Sequence, residues 1–364
     1  MVSAFLLVLI IASTLIQLAI WTFVIRNPAG RHPGATDYDR ESVAVSVIIC
    51  ARNEASNLKQ NLPLILGQNY PSFEVIVVND NSTDQTAEVL DRFSKHYRFL
   101  RVLEMKVDRP GKKHALVRAV GCATNDWILL TDADCWPSSS HWIHEMVAPF
   151  NANKMISLGM APLLPGSTFM SHFSSYDSIL TSALYISAAQ NKSPYMGVGR
   201  NVGYHRSIFN DLPDHYFEFV GGDDDLLINH VATGDNCAVV TSSQSLILSH
   251  SPSSCRGFLD QRARHLSVSS MYKLRHKTVL VIFALSHWIH LFAVLALLFT
   301  GYWWLAMALY IIRILCILVK SHDYLLLADW HHKKHLVPVF DLVYIIYHPI
   351  NVFFLFSKPE IKWI

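Results

Sequence analysis

Charge is what this 364-residue chain has least of: Asp, Glu, Lys and Arg make up 16% of it, against 51% hydrophobic residues. Mean hydropathy is +0.26. That excludes a disordered chain, and it is too apolar for an ordinary soluble domain. A formal net charge of +2 leaves no basic surplus, so no nucleic acid partner is expected. Cysteine is scarce too. Cys50, Cys122, Cys135, Cys237, Cys255 and Cys316 form no CxxC pair and no zinc spacing, which argues against a zinc module and for reduced, buried thiols. There is no internal repeat and no low-complexity tract.

Met1–Ile25 has no charged side chain at all, and Arg26 is the first. The run is long enough to span a bilayer. It lacks the basic leader, short apolar core and small-residue cleavage site of a removed signal, so an uncleaved anchor over 1–26 is expected. Arg26, Arg31 and Arg40 follow it, and by the positive-inside rule they place the next domain in the cytoplasm. Residues 27–42, with Pro33 and Gly34, read as a linker. Two further spans, Thr278–Thr300 and Tyr302–Val319, should form a tight hairpin, flanked by Lys273, Arg275 and Lys277 before and Lys320 after. Leu336–Phe356 is a third candidate. Asp341, His348, Pro338 and Pro349 interrupt it, which leaves spanning, re-entrant and interfacial paths open. Arg313 inside the second span is costly in lipid; it is expected to snorkel or pair within the bundle, or to contact a lipid phosphate.

Between the anchor and the hairpin, β-branched runs alternate with helical patterns. Val43–Cys50 runs into the loop Ala51-Arg52-Asn53-Glu54, and a helix follows through Leu58, Leu62 and Ile65. Phe73–Val78 ends in Asn79-Asp80-Asn81-Ser82-Thr83-Asp84, with Ser82 able to cap a helix from about Asp84. Leu100–Leu103 precedes Gly111-Lys112-Lys113-His114-Ala115-Leu116. Trp127–Leu130 ends in Thr131-Asp132-Ala133-Asp134. Strand–helix alternation predicts an α/β fold with a mostly parallel sheet, whose loops after the strands share one edge. Asp132 and Asp134, at i and i+2 of extended chain, present paired carboxylates. An isolated Asp-Ala-Asp is more often a solvated turn after a strand. Here, however, Glu54, Asp80 and Lys112 are expected at the same edge. Paired carboxylates suit Mg²⁺ or Mn²⁺, which also holds phosphates. A carboxylate such as Asp80 can accept a uracil imide N–H or a ribose hydroxyl, and Lys112 or Lys113 at a helix start can reach a diphosphate.

Farther along, Asn151–Ser193 carries helical apolar patterning, and Gly197–Tyr204 is a Gly-rich turn into a strand that fits neither a P-loop nor a dinucleotide fingerprint. Gly221-Gly222-Asp223-Asp224-Asp225 crowds three carboxylates at a helix start. One cap explains one of them, and crowding raises a carboxyl toward general-base use. Asp223 and Asp224 are the candidates, Asp224 slightly ahead, with Asp225 as cap or support. Gln261 and Arg264 share one face of a helix, and a guanidinium can grip a diphosphate bidentately. His250 is a candidate metal ligand, or a structural histidine.

In this order and on these strand ends, CARNE, VVNDNSTDQT, GKKHAL and TDAD resemble the family 2 glycosyltransferases, over about Val43–Ser270. The family's second motif often reads Asp-Asp-Gly-Ser; here Asn79 and Asn81 flank the single Asp80. Gln261-Arg262-Ala263-Arg264-His265 is similar to the QxxRW motif of membrane glycosyltransferases, with His265 where Trp is usual. The resemblance implies the inverting GT-A fold and a nucleotide-sugar donor, expected to be a UDP-sugar. It implies Asp80 at the base, Glu54 by the nucleoside, Ala51 among the nucleotide-sugar-binding residues, Asp132 by the ribose and metal, and Asp134 on the metal. It also implies a base at Asp223 or Asp224, Arg264 at the diphosphate, and an Asn in the acceptor-side loop. The span layout resembles ceramide- and hopanoid-type lipid glycosyltransferases, which implies a lipid or lipid-linked acceptor. A processive polysaccharide synthase and a non-catalytic scaffold are the alternatives. The expected layout is a nucleotide-sugar half over 43–150, an acceptor half with an interfacial helix over 151–277, a hairpin over 278–320, and a cytoplasmic segment with the third helix over 321–364.

Overall fold

The computed structural model describes residues 2–28, 43–105, 111–151, 153–212, 216–218 and 221–357. Most of the expected linker, with Arg31 and Arg40, lies outside them, as do Phe219, Val220 and 358–364. Helix α1 (Val2–Ala19) continues through a wider π-type turn over Ile20–Val24. Then come β1 (Val45–Ala51), α2 (Ala55–Leu66), β2 (Phe73–Asp80), α3 (Thr86–His96), β3 (Leu100–Met105), α4 (Lys112–Cys122) and β4 (Trp127–Asp132). After β4 the regular alternation breaks, through β5 (Cys135–Pro137), α5 (Trp142–Val147), β6 (Ile156–Gly159), β7 (Leu163–Leu164), α6 (Phe169–Gln190) and β8 (Val202–His205). Helix α7 (Asp225–Val231), β9 (Cys237–Val240), β10 (Ile247–His250) and α8 (Cys255–Ser269) close this part. Three long helices follow, α9 (Leu274–Leu297), α10 (Trp303–Leu327) and α11 (Val337–Ser357).

Among the described residues, seven strands form one sheet in the order β3-β2-β1-β4-β8-β6-β9, in which β8 alone runs against its neighbours. The expected halves at 43–150 and 151–277 therefore share a single sheet. Period-two alternation sorts its side chains. Ile48, Ile76, Val78, Ile128 and Leu130 face one core with α4, α6 and α7. Val47, Ile49, Val75, Val77 and Leu129 face the other with α2, α3 and α5. Leu58, Leu62 and Ile65 are buried in the second core as the helical pattern predicts. The first core runs on without a break into α9–α11 through Leu291, Ile317, Phe340 and Tyr344, so the sheet's α6 side is the side joined to the long helices.

Among the described residues, four helices are long and apolar enough to cross a membrane: Ala4–Val24, Leu274–Leu297, Trp303–Leu327 and His331–Phe353. The two helices of the expected hairpin extend beyond its bounds. Arg275 and Lys277 lie inside the start of α9 and Lys320 inside α10, not outside the spans. Helix α11 is continuous through Pro349, and Pro338 falls at its second position, where a missing N–H costs nothing. Arg313 is fully buried. Its two terminal nitrogens donate to the two Asp341 oxygens at 2.8 Å each, so it pairs within the bundle and does not reach a lipid phosphate. His287 Nε2 lies 2.9 Å from the same carboxylate, Gln17 joins α1 to Ser286 at 2.7 Å, and Thr14 meets His290 at 3.0 Å.

Two local expectations change. The helical patterning over Asn151–Ser193 is helix only from Phe169; its first part makes β6 and β7. Ser82 does not cap α3: its hydroxyl accepts the Asn53 N–H at 3.0 Å, while Asp84 accepts the Thr86 N–H at 2.9 Å and the Ala55 N–H at 3.2 Å. One carboxylate thus serves the starts of two helices, which is why the loops after β1 and β2 lie side by side.

Candidate active site

The loops after β1 and β2 bend sharply. Asn53 and Asn81 both take positive φ, 57° and 54°, a conformation Asn tolerates better than most residues. Asn53 Oδ1 accepts the Thr83 N–H at 2.8 Å, and Asn79 donates to Glu104 at 2.8 Å. The asparagines around Asp80 thus have structural uses, Asn81 in the turn after β2 and Asn79 in joining β2 to β3. With the loops so folded, the sheet's C-terminal edge opens into a cavity of about 460 Å³, whose walls bring together Glu54, Lys112, Asp132, Asp134, Asp223, Asp224, His250, Gln261 and Arg264.

Lys112 stands at the centre. Its ammonium lies 2.9 Å from Asp132 Oδ1 and 2.9 Å from Asp223 Oδ2, bridging the strand-end pair and the acidic turn. Burial opposes the charge on Asp223, but the Lys112 ammonium outweighs it and holds that carboxyl below its usual range. Lys113 points elsewhere and donates to the Tyr216 carbonyl. Burial and the neighbouring Asp132 raise the Asp134 carboxyl, against the pull of Arg200, and burial raises Glu54 with Asp134 and Asp132 adding to it. Carboxylates crowded in this way are electrostatically favourable ligands for a cation.

The donor set fits a hard one. Ligand atoms of Asp132, Asp134 and Cys135 lie within 4.8 Å of one another. Burial pushes the Cys135 thiol well up, so it stays protonated and donates to Asp134 at 3.3 Å. That leaves two carboxylates, the ligands Mg²⁺ or Mn²⁺ prefers when phosphate completes the shell. His250 is on the cavity wall but outside this group, its ring 4.9 Å from Trp136.

Asp224 is the N-cap of α7. Its Oδ1 accepts the Asp225 N–H at 2.9 Å and its Oδ2 takes the Gly199 N–H in a short contact. The cap expected at Asp225 falls one residue earlier, because Gly222, at φ 78°, turns the chain first. A Cβ at Gly199 would come within 2.8 Å of the Asp224 carboxylate, so only glycine permits that approach. Burial and the adjacent Asp223 lift Asp224 to about 6 in spite of these hydrogen bonds. Asp225 is buried, accepts the Tyr272 hydroxyl at 3.0 Å, and is raised well above the usual range by burial and Asp224. It supports rather than caps.

Asp80 and Ala51 are not on the cavity wall. Both are fully buried. Asp80 Oδ2 accepts the Gly111 N–H at 2.9 Å, and its Oδ1 has no partner among the described residues. The acceptor-side Asn of the Gly-rich turn, Asn201, is a structural pin: it donates to the Met160 and Ser245 carbonyls at 2.7 and 2.8 Å and accepts Trp142 Nε1 at 2.9 Å. The residue that turn does place on the cavity is Arg200, held by Ser249 at 2.7 Å and the Ala161 carbonyl at 3.1 Å. Sequence reasoning missed it; an arginine at the tip of a glycine-rich turn was the signal.

Comparison with known proteins agrees with this architecture. Residues 46–212 match the family model described as Glycosyl transferase family 2. The acidic turn at Asp223 and helix α8 lie beyond the match. The poly-beta-1,6-N-acetyl-D-glucosamine synthase of Staphylococcus epidermidis is 29% identical over 112 residues, 31% of this chain and 27% of that protein. The probable glycosyltransferase YdaM of Bacillus subtilis is 36% identical over 102 residues, 27% of this chain and 24% of that protein. The matches thus span about a quarter of these relatives. Among solved structures, the mannosyltransferase PcManGT from Pyrobaculum calidifontis, in complex with GDP-Man and Mn²⁺, aligns over 96% of this chain and 99% of its own. Its TM-score is 0.57 and its identity 18%. The fold is GT-A.

Proposed function

We propose that this protein is a membrane-embedded inverting glycosyltransferase that moves one sugar from a nucleoside-diphosphate sugar to a hydroxyl of a lipid or lipid-linked acceptor. The observation that carries the proposal is one cavity in which the Asp132–Asp134 pair, the Asp223–Asp224 turn and the Arg264–Gln261 face of α8 meet.

The nucleoside lies along the loops after β1 and β2. Glu54 faces the nucleoside, and the orphan Oδ1 of Asp80 is an acceptor for a base N–H if the base reaches beneath the wall. Arg264, Gln261 and Lys112 grip the diphosphate, for which Lys112 must release one of its two carboxylates. Asp132 and Asp134 are the residues that would hold Mg²⁺ or Mn²⁺, and a cation bound there would neutralise charge on the departing diphosphate. Asp224 takes the acceptor's hydroxyl proton. The freed oxygen forms its bond to the anomeric carbon as the bond from that carbon to the β-phosphate oxygen breaks, and the nucleoside diphosphate leaves with the electron pair. One displacement inverts the anomeric configuration. Asp223, kept ionised by Lys112, raises the proton affinity of Asp224 without competing for the proton.

The lipid-like acceptor is supported by placement: the cavity's α8 wall sits on the core shared with the long helices. The basic residues around the start of α9, Lys273, Arg275 and Lys277, with Arg26 donating to Asn191 beside α6 at 2.8 Å, support a catalytic domain on the cytoplasmic side. The name of the Staphylococcus epidermidis relative supports a second reading, stepwise polysaccharide extension. The test is donor turnover by purified protein with UDP- and GDP-sugars, with and without Mn²⁺ or Mg²⁺, and with total membrane lipid added. Lipid-stimulated release of one nucleoside diphosphate with a one-sugar glycolipid as product supports the first reading. A polymer replaces it by the second. Wild-type protein that binds no nucleotide more tightly with metal than without, and no more tightly than the Asp134→Ala variant does, would overturn both.

A further inference from the structure

Helix α8 carries Gln261 and Arg264 on the cavity, yet a residue between them in the same motif, Arg262, turns away from it. Its guanidinium forms an ion pair with Asp177 of α6, a carboxylate only 6% exposed. The other Asp177 oxygen accepts the hydroxyl of Tyr344, on α11, at 2.7 Å. The pair is enclosed by rings. Phe173 of α6 lies 5.5 Å from Phe258 of α8, 5.3 Å from Tyr344 and 5.6 Å from Tyr347, and Arg262 sits 5.6 Å over the Phe258 ring. Asp177 is buried and Arg262 half-buried, so an ion pair with a further hydrogen bond fixes geometry here: without Arg262, Asp177 would be a buried, uncompensated charge.

The same helix presses on the acidic turn from the other side. A Cβ at Gly221 would come within 3.1 Å of the Arg264 carbonyl, and one at Gly222 within 3.0 Å of Val268. Helix α8 therefore touches both the diphosphate-facing side chains and the turn that presents Asp223 and Asp224. Whatever fixes α8 fixes both walls at once.

We infer that Asp177 is a positioning residue: through Arg262 and Tyr344 it ties α8 to the membrane-type helix α11, so that the helix bundle sets the cavity's roof. The consequence for donor use rests on the function proposed above; the anchoring does not. The two are separated by measuring both in full-length protein in lipid nanodiscs. Hydrogen exchange of residues 256–269 reads the anchor. In Asp177→Asn exchange there should quicken about tenfold while α2 and α4 keep wild-type protection. In Tyr344→Phe, which removes one hydroxyl and leaves the ion pair, it should quicken about threefold. Steady-state kinetics reads the consequence: donor KM should rise about tenfold, and kcat should fall as well, because α8 backs both the diphosphate-facing wall and the turn that presents Asp224. Arg262→Lys, which keeps the charge, should leave KM near the wild-type value. Exchange in 256–269 within about twofold of wild type in both variants overturns the anchor, as does a uniform increase across the whole domain. Altered exchange with unchanged KM overturns the positioning role. If wild-type protein turns over no donor, the proposed function fails, and the exchange data still decide the anchor.

Discussion

Two regions of this molecule bury charge in opposite ways. In the long-helix bundle, Arg313 and Asp341 pair through two 2.8 Å hydrogen bonds, with His287 and Gln17 filling the remaining positions. In the cavity, Glu54, Asp132, Asp134, Asp223, Asp224 and Asp225 outnumber Arg52, Lys112, Arg200 and Arg264, and Lys112 bridges Asp132 to Asp223. A balanced buried pair holds helices together. An acidic surplus stores electrostatic strain that a cationic ligand or a proton relieves, and that is what a reactive site needs.

Substitutions can break this contrast. The largest effect is expected in the cavity. Asp224→Asn removes the proposed base, and kcat should fall by about a thousandfold in protein with wild-type circular dichroism; Asp223→Asn, which takes one partner from Lys112, should lower kcat less. A larger loss at Asp223 would transfer the base role to it. Asp134→Ala should weaken Mn²⁺-dependent nucleotide binding about a hundredfold, read by calorimetry with and without metal, and leave any metal-independent binding untouched.

The bundle should answer in stability, not chemistry. Arg313→Met leaves Asp341 buried without its main partner and should cost about 3–5 kcal/mol, whereas Arg313→Met with Asp341→Leu, removing both charges, should restore most of it. Thermal unfolding in detergent measures both. A double variant as unstable as the single would show that the pair does more than balance charge.

Proton linkage sharpens the comparison further. Asp224 must be ionised to accept a proton, so kcat should fall about tenfold per pH unit below about 6, the value to which burial and Asp223 raise it. Asp225 titrates upward too, by burial and Asp224. Its contribution to stability is complete below the unfolded value of 3.8 and is lost as pH rises toward its folded value. Asp225→Asn, which keeps an acceptor for Tyr272, should therefore raise the melting temperature by a few degrees at about pH 7.5 and by nothing near about pH 4.

The sequence by itself determined the strand–helix order from Val45 to Asp132, the convergence of Glu54, Lys112, Asp132 and Asp134, and the four apolar runs, because hydrophobic period and strand-end placement are local properties. It also marked Gln261 and Arg264 through their spacing. Tertiary structure alone decided that Lys112 joins Asp132 to Asp223 and that Asn201 pins the backbone while Arg200 faces the cavity. It alone put the α7 cap on Asp224, and paired Arg313 with Asp341 and Arg262 with Asp177. Each of these is a contact between residues far apart in the chain, or a choice between adjacent residues of one type. A charge's partner depends on which surfaces packing brings together, and no local pattern in the chain encodes that.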